Sequence, residues 1–282
     1  ADSKVIFASD LNKPHGIAFI GAEAIVAETG GLVLLKDTDN DLKADVRKVI
    51  SRDLPEGGGH WTRTVAAGSD GYLYVSAGSS CNACEEKDPR RAAVLRFKPQ
   101  GGQAEVFAKG LRNSVGIAFE PDTKELWGVD NGADWLGENL PPEELNRIVK
   151  GGDYGWPYCY GDNIPDPDMG TTLPPAVKMQ AHSAPLGMAF GYNLKFPQPY
   201  RDVLFVAFHG SWNRLAPTGY KLIGIPFKNG RPDGEPFDFI TGWMRGGVAW
   251  GRPVGLLVGG DGALYLSDDY AGAVYRITYG QK

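Results

Sequence analysis

The chain has 282 residues, of which 42% are hydrophobic and 22% charged, so it carries enough apolar surface to fold and lacks the composition of a disordered protein. Its net charge of −5 argues against nucleic-acid binding, which needs a basic surface. The longest apolar runs are the length of a strand and predict no membrane-spanning segment. The 39 glycines and 11% aromatic residues favour many turns and β-strands.

One pattern recurs along the chain: an apolar strand that usually begins at a glycine, a turn, and a second apolar strand. Its five copies span residues 16–28, 64–76, 116–130, 187–206 and 255–267. A third strand is predicted after each copy, at Gly31–Leu35, Ala93–Phe97, Asn146–Val149, Tyr220–Pro226 and Ala273–Thr278. Outer strands are predicted at Val5–Ala8, Gln103–Ala108 and Phe237–Thr241. Four short strands per repeat are typical of propeller blades. The sequence therefore predicts a single all-β propeller domain over residues 1–282, with a β-sandwich as the alternative.

Three segments outside this pattern also carry predictions. Pro141–Leu145 has prolines followed by acidic residues, which is typical of a helix start, and this is the one helix predicted. Residues 151–185, including Pro165–Asp168, show no strand periodicity and are interpreted as a long functional loop. Val5–Ala8 resembles the outer strands that precede two later repeats, so it is expected to complete the final blade.

The chain has three cysteines, two of them in a Cys-x-x-Cys sequence. No histidine follows Cys84, which excludes covalent haem attachment, and the third cysteine, Cys159, leaves too few ligands for a four-cysteine zinc site. A loop disulfide and a pair of free thiols in a turn both remain open for Cys81 and Cys84. A disulfide would indicate an oxidising compartment. No signal peptide is present, and Ala1–Ser3 is interpreted as a processed N-terminus.

Polar residues precede the inner strand of several repeats, where a propeller brings them to its central channel. They are His15, His60, Arg112 with Asn113, His182 and Arg252. His60 follows three glycines, which allow a close approach to a ligand, and imidazole is a suitable base near neutral pH. The arginines of this set, together with Arg214, favour a small polyanionic ligand. Structural roles for these side chains are the alternative.

Two acidic segments have the composition of cation sites. Asp37–Asp45 has alternating oxygen ligands, but Leu42 and Lys48 stand where an EF-hand needs glycine and glutamate, so a solvated acidic turn is the interpretation. Asp130–Asp134, together with Glu143 and Glu144, offers carboxylates and backbone carbonyls suited to a hard cation.

Several longer motifs resemble a known family. They are GGGHWTR at 57–63, DGYLYVS at 70–76, GLRN at 110–113, DNG at 130–132 and ELNRIVKGGDYGWP at 144–157. Together they look like the glucose/sorbosone dehydrogenases, six-bladed quinoprotein propellers that use pyrroloquinoline quinone and Ca²⁺, and they are closest to the sorbosone dehydrogenase-like branch. The resemblance covers nearly the whole chain. It implies oxidation of an aldose or sugar aldehyde by hydride transfer to the quinone. It also implies an external electron acceptor, such as a cytochrome c or a quinone, and a periplasmic or secreted location.

The resemblance also implies residue roles. His60 matches the general base, and Arg112 matches the residue that stabilises negative charge developing on oxygen. The residues implied in or placed near cofactor binding are His15, Arg112, Asn113, His182, Asn213, Arg214 and Arg252. The carbonyls of Gly132 and Ala133 match ligands of the calcium ion at the quinone, and Glu144 with the Tyr154 backbone matches a second calcium region.

The sequence departs from the family at three points. Alanine stands at 133, where the soluble glucose enzyme has proline, and the cofactor lysine maps onto Asn213–Arg214. Five repeats are present rather than six, so either one repeat is missing or the ring closes with five. These departures keep open a non-catalytic extracellular propeller that serves as a binding or scaffold module. A calcium-dependent lactone hydrolase is a third alternative, which the channel arginines disfavour.

Overall fold

The computed structural model describes residues 4–164 and 172–280, so the predictions for Ala1–Ser3 and Pro165–Asp168 lie outside the described residues. Among the described residues, its regular secondary structure is β-strand, apart from one 3₁₀ turn at Gln198–Tyr200. The strands are β1 Gly16–Ile20, β2 Glu23–Glu28, β3 Gly31–Lys36, β4 Val46–Ser51, β5 Val65–Ala67, β6 Leu73–Ala77, β7 Ala93–Phe97, β8 Glu105–Lys109, β9 Ser114–Phe119, β10 Leu126–Asp130, β11 Glu143–Ile148, β12 Gly152–Asp153, β13 Val177–Met179, β14 Pro185–Phe190, β15 Val203–Phe208, β16 Lys221–Lys228, β17 Arg231–Pro232, β18 Phe237–Ile240, β19 Met244–Arg245, β20 Val248–Ala249, β21 Pro253–Val258, β22 Leu264–Asp268 and β23 Ala273–Ile277.

Five antiparallel meander sheets contain most of these strands. Their orders are β1-β2-β3-β4, β5-β6-β7-β8, β9-β10-β11-β13, β14-β15-β16-β18 and β21-β22-β23. Strand β12 adds to β8 in parallel, β17 forms a hairpin with β16, and β19 pairs with β20. Such sheets are propeller blades, so the fold is an all-β propeller. The prediction of five repeats is confirmed, and the number of blade sheets is five rather than the six that the resemblance implied.

The chain divides into two compact units. Unit 1 contains Ala1–Asn113 and Lys150–Pro157 and holds the first two blade sheets, whereas unit 2 contains Ser114–Val149 and Tyr158–Lys282 and holds the other three. Each unit has its own buried apolar clusters, which are formed by aliphatic and aromatic side chains of the blade strands. The prediction of a single domain over residues 1–282 stays a prediction.

The same hairpin turn recurs in the second and fifth blade sheets. Asp70–Gly71 and Asp261–Gly262 connect the two inner strands, with the glycines at φ +81° and +79°. Each aspartate accepts a hydrogen bond from the tyrosine hydroxyl four residues later, at 2.7 Å from Tyr74 and 3.0 Å from Tyr265. The Asp-Gly turns predicted from the sequence are thus confirmed as hairpins in which only glycine relaxes the left-handed backbone.

The helix predicted at Pro141–Leu145 is wrong, because Glu143–Ile148 is strand β11. This strand pairs in register with β10, and backbone hydrogen bonds of the sheet outweigh the local helix signal. The two acidic side chains are buried and accept bonds from backbone amides: Glu143 from Gly132 and Ala184, and Glu144 from Gly161. The acids therefore fix loops rather than complement a helix dipole.

The N-terminal segment also differs from its prediction. Val5–Ala8 is not a strand: the carbonyl of Phe7 accepts a bond from the amide of Ala44 at 2.8 Å, and Ala8 packs against the core of the first blade sheet. The last sheet has three strands among the described residues. The outer strand β4 and the short strand β13 were not predicted, the first because its sequence is rich in charge and the second because it lies in the segment interpreted as a loop. No helix of the described chain is long and apolar enough to cross a membrane.

Candidate active site

The candidate base His60 lies in unit 1 against a glycine that permits its position. Gly78 follows β6, and a Cβ atom at this glycine would lie 2.5 Å from Asn113 Oδ1 and 2.6 Å from His60 Cβ. Only a residue without a side chain leaves room for both groups. The fold therefore brings together His60 and Asn113, two of the predicted site residues, which are more than fifty positions apart in the sequence.

The tautomer of His60 follows from its hydrogen bonds. Its Nδ1 lies 3.0 Å from the carbonyl oxygen of Ser79 and 2.9 Å from Ser79 Oγ. A carbonyl oxygen only accepts, so Nδ1 carries the hydrogen, and the lone pair of the neutral ring is on Nε2. Among the described residues, Nε2 has no hydrogen-bond partner. The ring is thus prepared to accept a proton at Nε2.

Positive charge surrounds this histidine. Burial, and after it the charges of Arg112, Arg63 and Arg91, lower the pKa of His60 to about 4, so the ring is neutral at pH 7. Arg63 and Arg91 are themselves buried, and among the described residues both donate to backbone carbonyl oxygens rather than to carboxylates. Burial, together with the charge of Arg91, lowers the pKa of Arg63 to about 10.

Two buried guanidinium groups without a carboxylate partner among the described residues leave uncompensated positive charge. Arg63 Nε and Arg91 Nη1 also lack any hydrogen-bond acceptor. These two arginines were not predicted as site residues. Arg63 ends the GGGHWTR motif, so its spacing to His60 is the signal that would have identified it.

Arg112 is oriented by the cysteine loop. Its Nε donates to the carbonyl of Asn82 at 2.9 Å, and its Nη2 donates to Asn82 Oδ1 at 2.8 Å. Cys81 and Cys84 on either side of this residue form a disulfide. The disulfide alternative is thus confirmed, and the buried Cys159 is free.

The other predicted residues of unit 1 lie in two places. The ring of His15 packs edge-on against Trp61 at 5.9 Å, and burial is the main cause that lowers the pKa of His15. Trp61 directly follows His60 in the sequence, so His15 packs against the residue next to the candidate base. Tyr154 is buried, and its amide donates to the carbonyl of Lys109 at 3.0 Å. Because Tyr154 belongs to unit 1 and Glu144 to unit 2, their joint role at a metal stays a prediction.

In unit 2, His182 and Asn213 form one hydrogen-bonded group. His182 Nε2 lies 2.7 Å from the carbonyl of Gly137, so this nitrogen carries the hydrogen, and Nδ1 accepts a long bond from Asn213 Nδ2 at 3.4 Å. Asn213 Nδ2 also donates to Asp134 at 2.7 Å. The amide oxygen of Asn213 is buried without a partner. An unsatisfied buried acceptor of this kind indicates a place for a hydrogen-bond donor of a ligand.

Two arginines lie near this group. Arg214 donates to the carbonyl of Ala181 at 3.2 Å and to Asn139 at 3.3 Å. Its guanidinium therefore lies beside Ala181, which directly precedes His182. Arg252 donates to the carbonyl of Gly210 at 3.2 Å and lies over the ring of Tyr220. The fold thus brings His182, Asn213 and Arg214 together, with Arg252 on the adjoining sheet.

One of the predicted metal residues of unit 2, Glu144, is paired across the sheet with a second buried carboxylate. Asp130 and Glu144 are cross-strand neighbours of β10 and β11, and both are buried. Burial, and next the charge of Asp130, raise the pKa of Glu144 to about 7. Two carboxylates that disfavour each other's charge are suited to a hard cation. Gly132 and Ala133 follow directly after Asp130, and the Gly132 amide is fixed by Glu143. The other acidic group, Asp37, Asp39 and Asp45, contains exposed carboxylates in a turn, as predicted.

Comparison with known proteins gives two family matches in succession. Residues 1–154, more than half of the chain, match the family described as a domain of unknown function, DUF7133, and residues 162–280 match the family described as TrAA12-like. A pyrroloquinoline quinone-dependent pyranose dehydrogenase of Coprinopsis cinerea is 26% identical over 98% of this chain and 47% of that protein. The chain belongs to the DUF7133 family, and it is similar to the pyrroloquinoline quinone-dependent sugar dehydrogenases.

Other comparisons agree with this family. The solved holo form of the quinone domain of the Coprinopsis cinerea pyranose dehydrogenase has a TM-score of 0.85 and 22% identity, over 98% of this chain and 84% of that one. At this identity, the likeness shows the fold. An uncharacterized protein of Borreliella burgdorferi is 29% identical over 96% of this chain and 77% of its own length. The chain spans about half the length of the full-length Coprinopsis enzyme, and membership of the sorbosone branch of the family stays a prediction.

Proposed function

We propose that this protein is a pyrroloquinoline quinone- and calcium-dependent dehydrogenase that oxidises an aldose or a sugar aldehyde. It passes the electrons to an external acceptor such as a cytochrome c or a quinone, in the periplasm or outside the cell. The observation that carries the proposal is the arrangement of His60: a neutral imidazole with its lone pair on Nε2, beside buried arginines that lack carboxylate partners. The Cys81–Cys84 disulfide supports an oxidising compartment.

The charge of the site supports an anionic cofactor. Pyrroloquinoline quinone carries three carboxylates, and within residues 4–164 and 172–280 Arg63 and Arg91 have no carboxylate partner. In unit 1, Arg112, Asn113 and His15 would hold the group. The cofactor residues predicted in unit 2 are His182, Asn213, Arg214 and Arg252, and a role shared with unit 1 stays a prediction. The partnerless amide oxygen of Asn213 supports a hydrogen-bond donor on the ligand. When bound, the quinone would supply the hydride acceptor.

The carboxylates of unit 2 support calcium. A divalent cation beside Asp130 and Glu144 would neutralise the repulsion that raises the pKa of Glu144. The carbonyls of Gly132 and Ala133, which follow Asp130, would add the neutral oxygens that calcium prefers. The predicted second calcium region combines Glu144 of unit 2 with the Tyr154 backbone of unit 1, and this combination stays a prediction. Asp130 was part of an acidic segment in the sequence analysis, but its pairing with Glu144 was not predicted, because the pairing depends on strand register.

The proposed chemistry of the chain's own residues follows from their hydrogen bonds. His60 Nε2 would accept the hydroxyl proton of the sugar, while the Nδ1 hydrogen stays on the two oxygens of Ser79. Arg112, fixed by Asn82, would stabilise negative charge that develops on oxygen. With a pKa of about 4, the free His60 is a weak base. An anionic ligand near the arginines would raise this pKa toward the working pH.

The test begins with calorimetric titration of pyrroloquinoline quinone into calcium-loaded protein, followed by dye reduction with a panel of sugars and sugar aldehydes. We expect saturable binding and reduction with at least one aldose. His60→Ala should retain the affinity for the quinone and lose about 10²–10⁴-fold in kcat, the usual contribution of a general base. Absence of binding and of dye reduction would instead favour the non-catalytic propeller. Binding with unchanged turnover in His60→Ala would refute the role of the base.

A further inference from the structure

The loop Ser79–Cys84 forms hydrogen bonds with both His60 and Arg112. Ser79 lies at its start, fully buried, and its Oγ donates to the carbonyl of Cys81 at 2.6 Å. Because the hydroxyl hydrogen is used in that bond, Oγ is left as an acceptor toward His60 Nδ1 at 2.9 Å. The hydrogen on Nδ1 therefore faces two acceptors of the same residue, the hydroxyl and the carbonyl oxygen.

The same loop fixes Arg112 through three hydrogen bonds. The amide of Ser79 donates to the Arg112 carbonyl at 2.8 Å, which ties the two backbones together. Asn82 then accepts from Nε and Nη2 of the guanidinium with its carbonyl and its side-chain oxygen. The two acceptors of Asn82 match the fork of the guanidinium only in one backbone conformation.

The disulfide defines that conformation. It closes the four-residue segment Cys81–Cys84, which contains no strand or helix of its own. An uncrosslinked loop of small and polar residues has more conformations available, and ordering each residue costs free energy. The cross-link removes part of this freedom. The Cys81 carbonyl therefore remains in position to accept from Ser79 Oγ, and both oxygens of Asn82 remain in position to accept from Arg112.

We propose that Ser79 and the disulfide-closed segment Cys81–Cys84 are positioning elements that fix the tautomer of His60 and the orientation of Arg112 together. This inference rests on the proposed function. In many enzymes a carboxylate orients the base histidine; here a neutral serine does so. A neutral orienting group leaves the arginines without a counter-charge, so their positive charge remains available to an anionic ligand.

The first test compares Ser79→Ala with Ser80→Ala. Ser80 is the matched control, because its hydroxyl bonds to Glu86 at 2.9 Å rather than to His60. Imidazole ¹⁵N NMR of the quinone-free protein reports the tautomer. We expect the Nδ1–H form to dominate in the native protein and in Ser80→Ala, with a minor Nε2–H fraction. Loss of one hydrogen bond in Ser79→Ala should raise the Nε2–H fraction about fivefold. In the loaded enzyme, the imidazolium formed by proton transfer also loses the hydrogen bond to Ser79 Oγ, so kcat should fall about fivefold with KM unchanged.

The second test opens the loop with Cys81→Ser/Cys84→Ser and, separately, with a thiol reductant on the native protein. Both should accelerate the hydrogen exchange of Arg112 Nε–H about tenfold or more and broaden the His60 signals, while the melting curve stays cooperative. Reductant should add nothing to the double variant. If the double variant does not fold, reductant on the native protein and Ser79→Ala decide the question.

Two results would overturn the inference: Ser79→Ala and Ser80→Ala with the same His60 tautomer, or a reduced loop with unchanged Arg112 exchange. Because both readouts are taken without the quinone, they are independent of the proposed function. A protein that shows the predicted NMR changes but binds no quinone would refute the function and leave the positioning intact. Quinone binding with unchanged NMR signals would do the reverse.

Discussion

Gly78→Ala is expected to disturb the candidate site directly, because the added methyl group would meet both His60 and Asn113. The added Cβ would lie 2.5 Å from Asn113 Oδ1, 2.6 Å from His60 Cβ and 3.2 Å from His60 Cγ, whereas an ordinary contact of this kind begins at 3.4 Å. The two side chains must therefore move apart by about 1 Å. Gly78 is buried and does not have a positive φ, so the effect comes from contact and not from backbone conformation.

The magnitude can be worked out from overpacking. Inserting a methyl group into a filled interior costs about 1–3 kcal/mol, partly offset by the roughly 0.4–1 kcal/mol that alanine gains over glycine through the unfolded state. The net cost is then at most about 2.6 kcal/mol, which should lower the melting temperature of a protein of this size by up to roughly 10 °C. A displacement of about 1 Å at a reacting group costs on the order of 10²-fold in rate, so the loss of kcat should far exceed the loss of stability.

Gly59→Ala is the control, because its Cβ would lie 3.5 Å from the nearest atom, an ordinary contact, and Gly59 does not have a positive φ. Calorimetric melting, imidazole NMR of His60 and dye reduction are measured on both variants. We expect Gly59→Ala to match the native protein in all three. If Gly78→Ala has the same melting temperature as Gly59→Ala and the His60 NMR signals do not shift, then the described proximity of His60, Gly78 and Asn113 is wrong.

Three further predictions concern charge. The pKa of His60 is about 4 in the folded chain, against an ordinary value of 6.5, so the unfolded chain binds a proton first as the pH falls. The free energy of unfolding should therefore decrease between about pH 6.5 and pH 4, with a slope of up to ~1.4 kcal/mol per pH unit. Melting experiments across this pH range should show a weaker pH dependence of stability for His60→Ala than for the native protein. Equal slopes would contradict the low pKa of His60. Saturating calcium should raise the melting temperature of the native protein, whereas Glu144→Gln, which removes the repulsion with Asp130, should melt higher without metal and respond less to it; an undiminished response would exclude Glu144 as a ligand. Arg91→Met should weaken quinone binding about tenfold and reduce its salt dependence, and unchanged calorimetric affinity would show that this charge does not act on the ligand.

The repeat pattern predicted much of the fold because each blade strand is a local unit whose apolar residues and turn glycines lie within a few positions of one another. Strand β11 shows the limit. Its first residues have the local composition of a helix start, and only the edge of β10 and the amides of distant loops select a strand. Val5–Ala8 shows the same limit. It packs against the first blade sheet through contacts with residues distant in the sequence, which a short stretch of sequence does not reveal.

The sequence by itself determined the residue types of the candidate site: the histidine after three glycines, the Arg112–Asn113 pair, the acidic segment at Asp130 and the Cys-x-x-Cys loop. The tertiary structure alone decided how they act. The tautomer of His60 depends on Ser79, which lies nineteen positions away, and the raised pKa of Glu144 depends on the strand register that places it beside Asp130. Hydrogen bonds and charges act over a few ångströms in space, so residue identity names the possible chemistry and only the fold sets which groups are close enough to perform it.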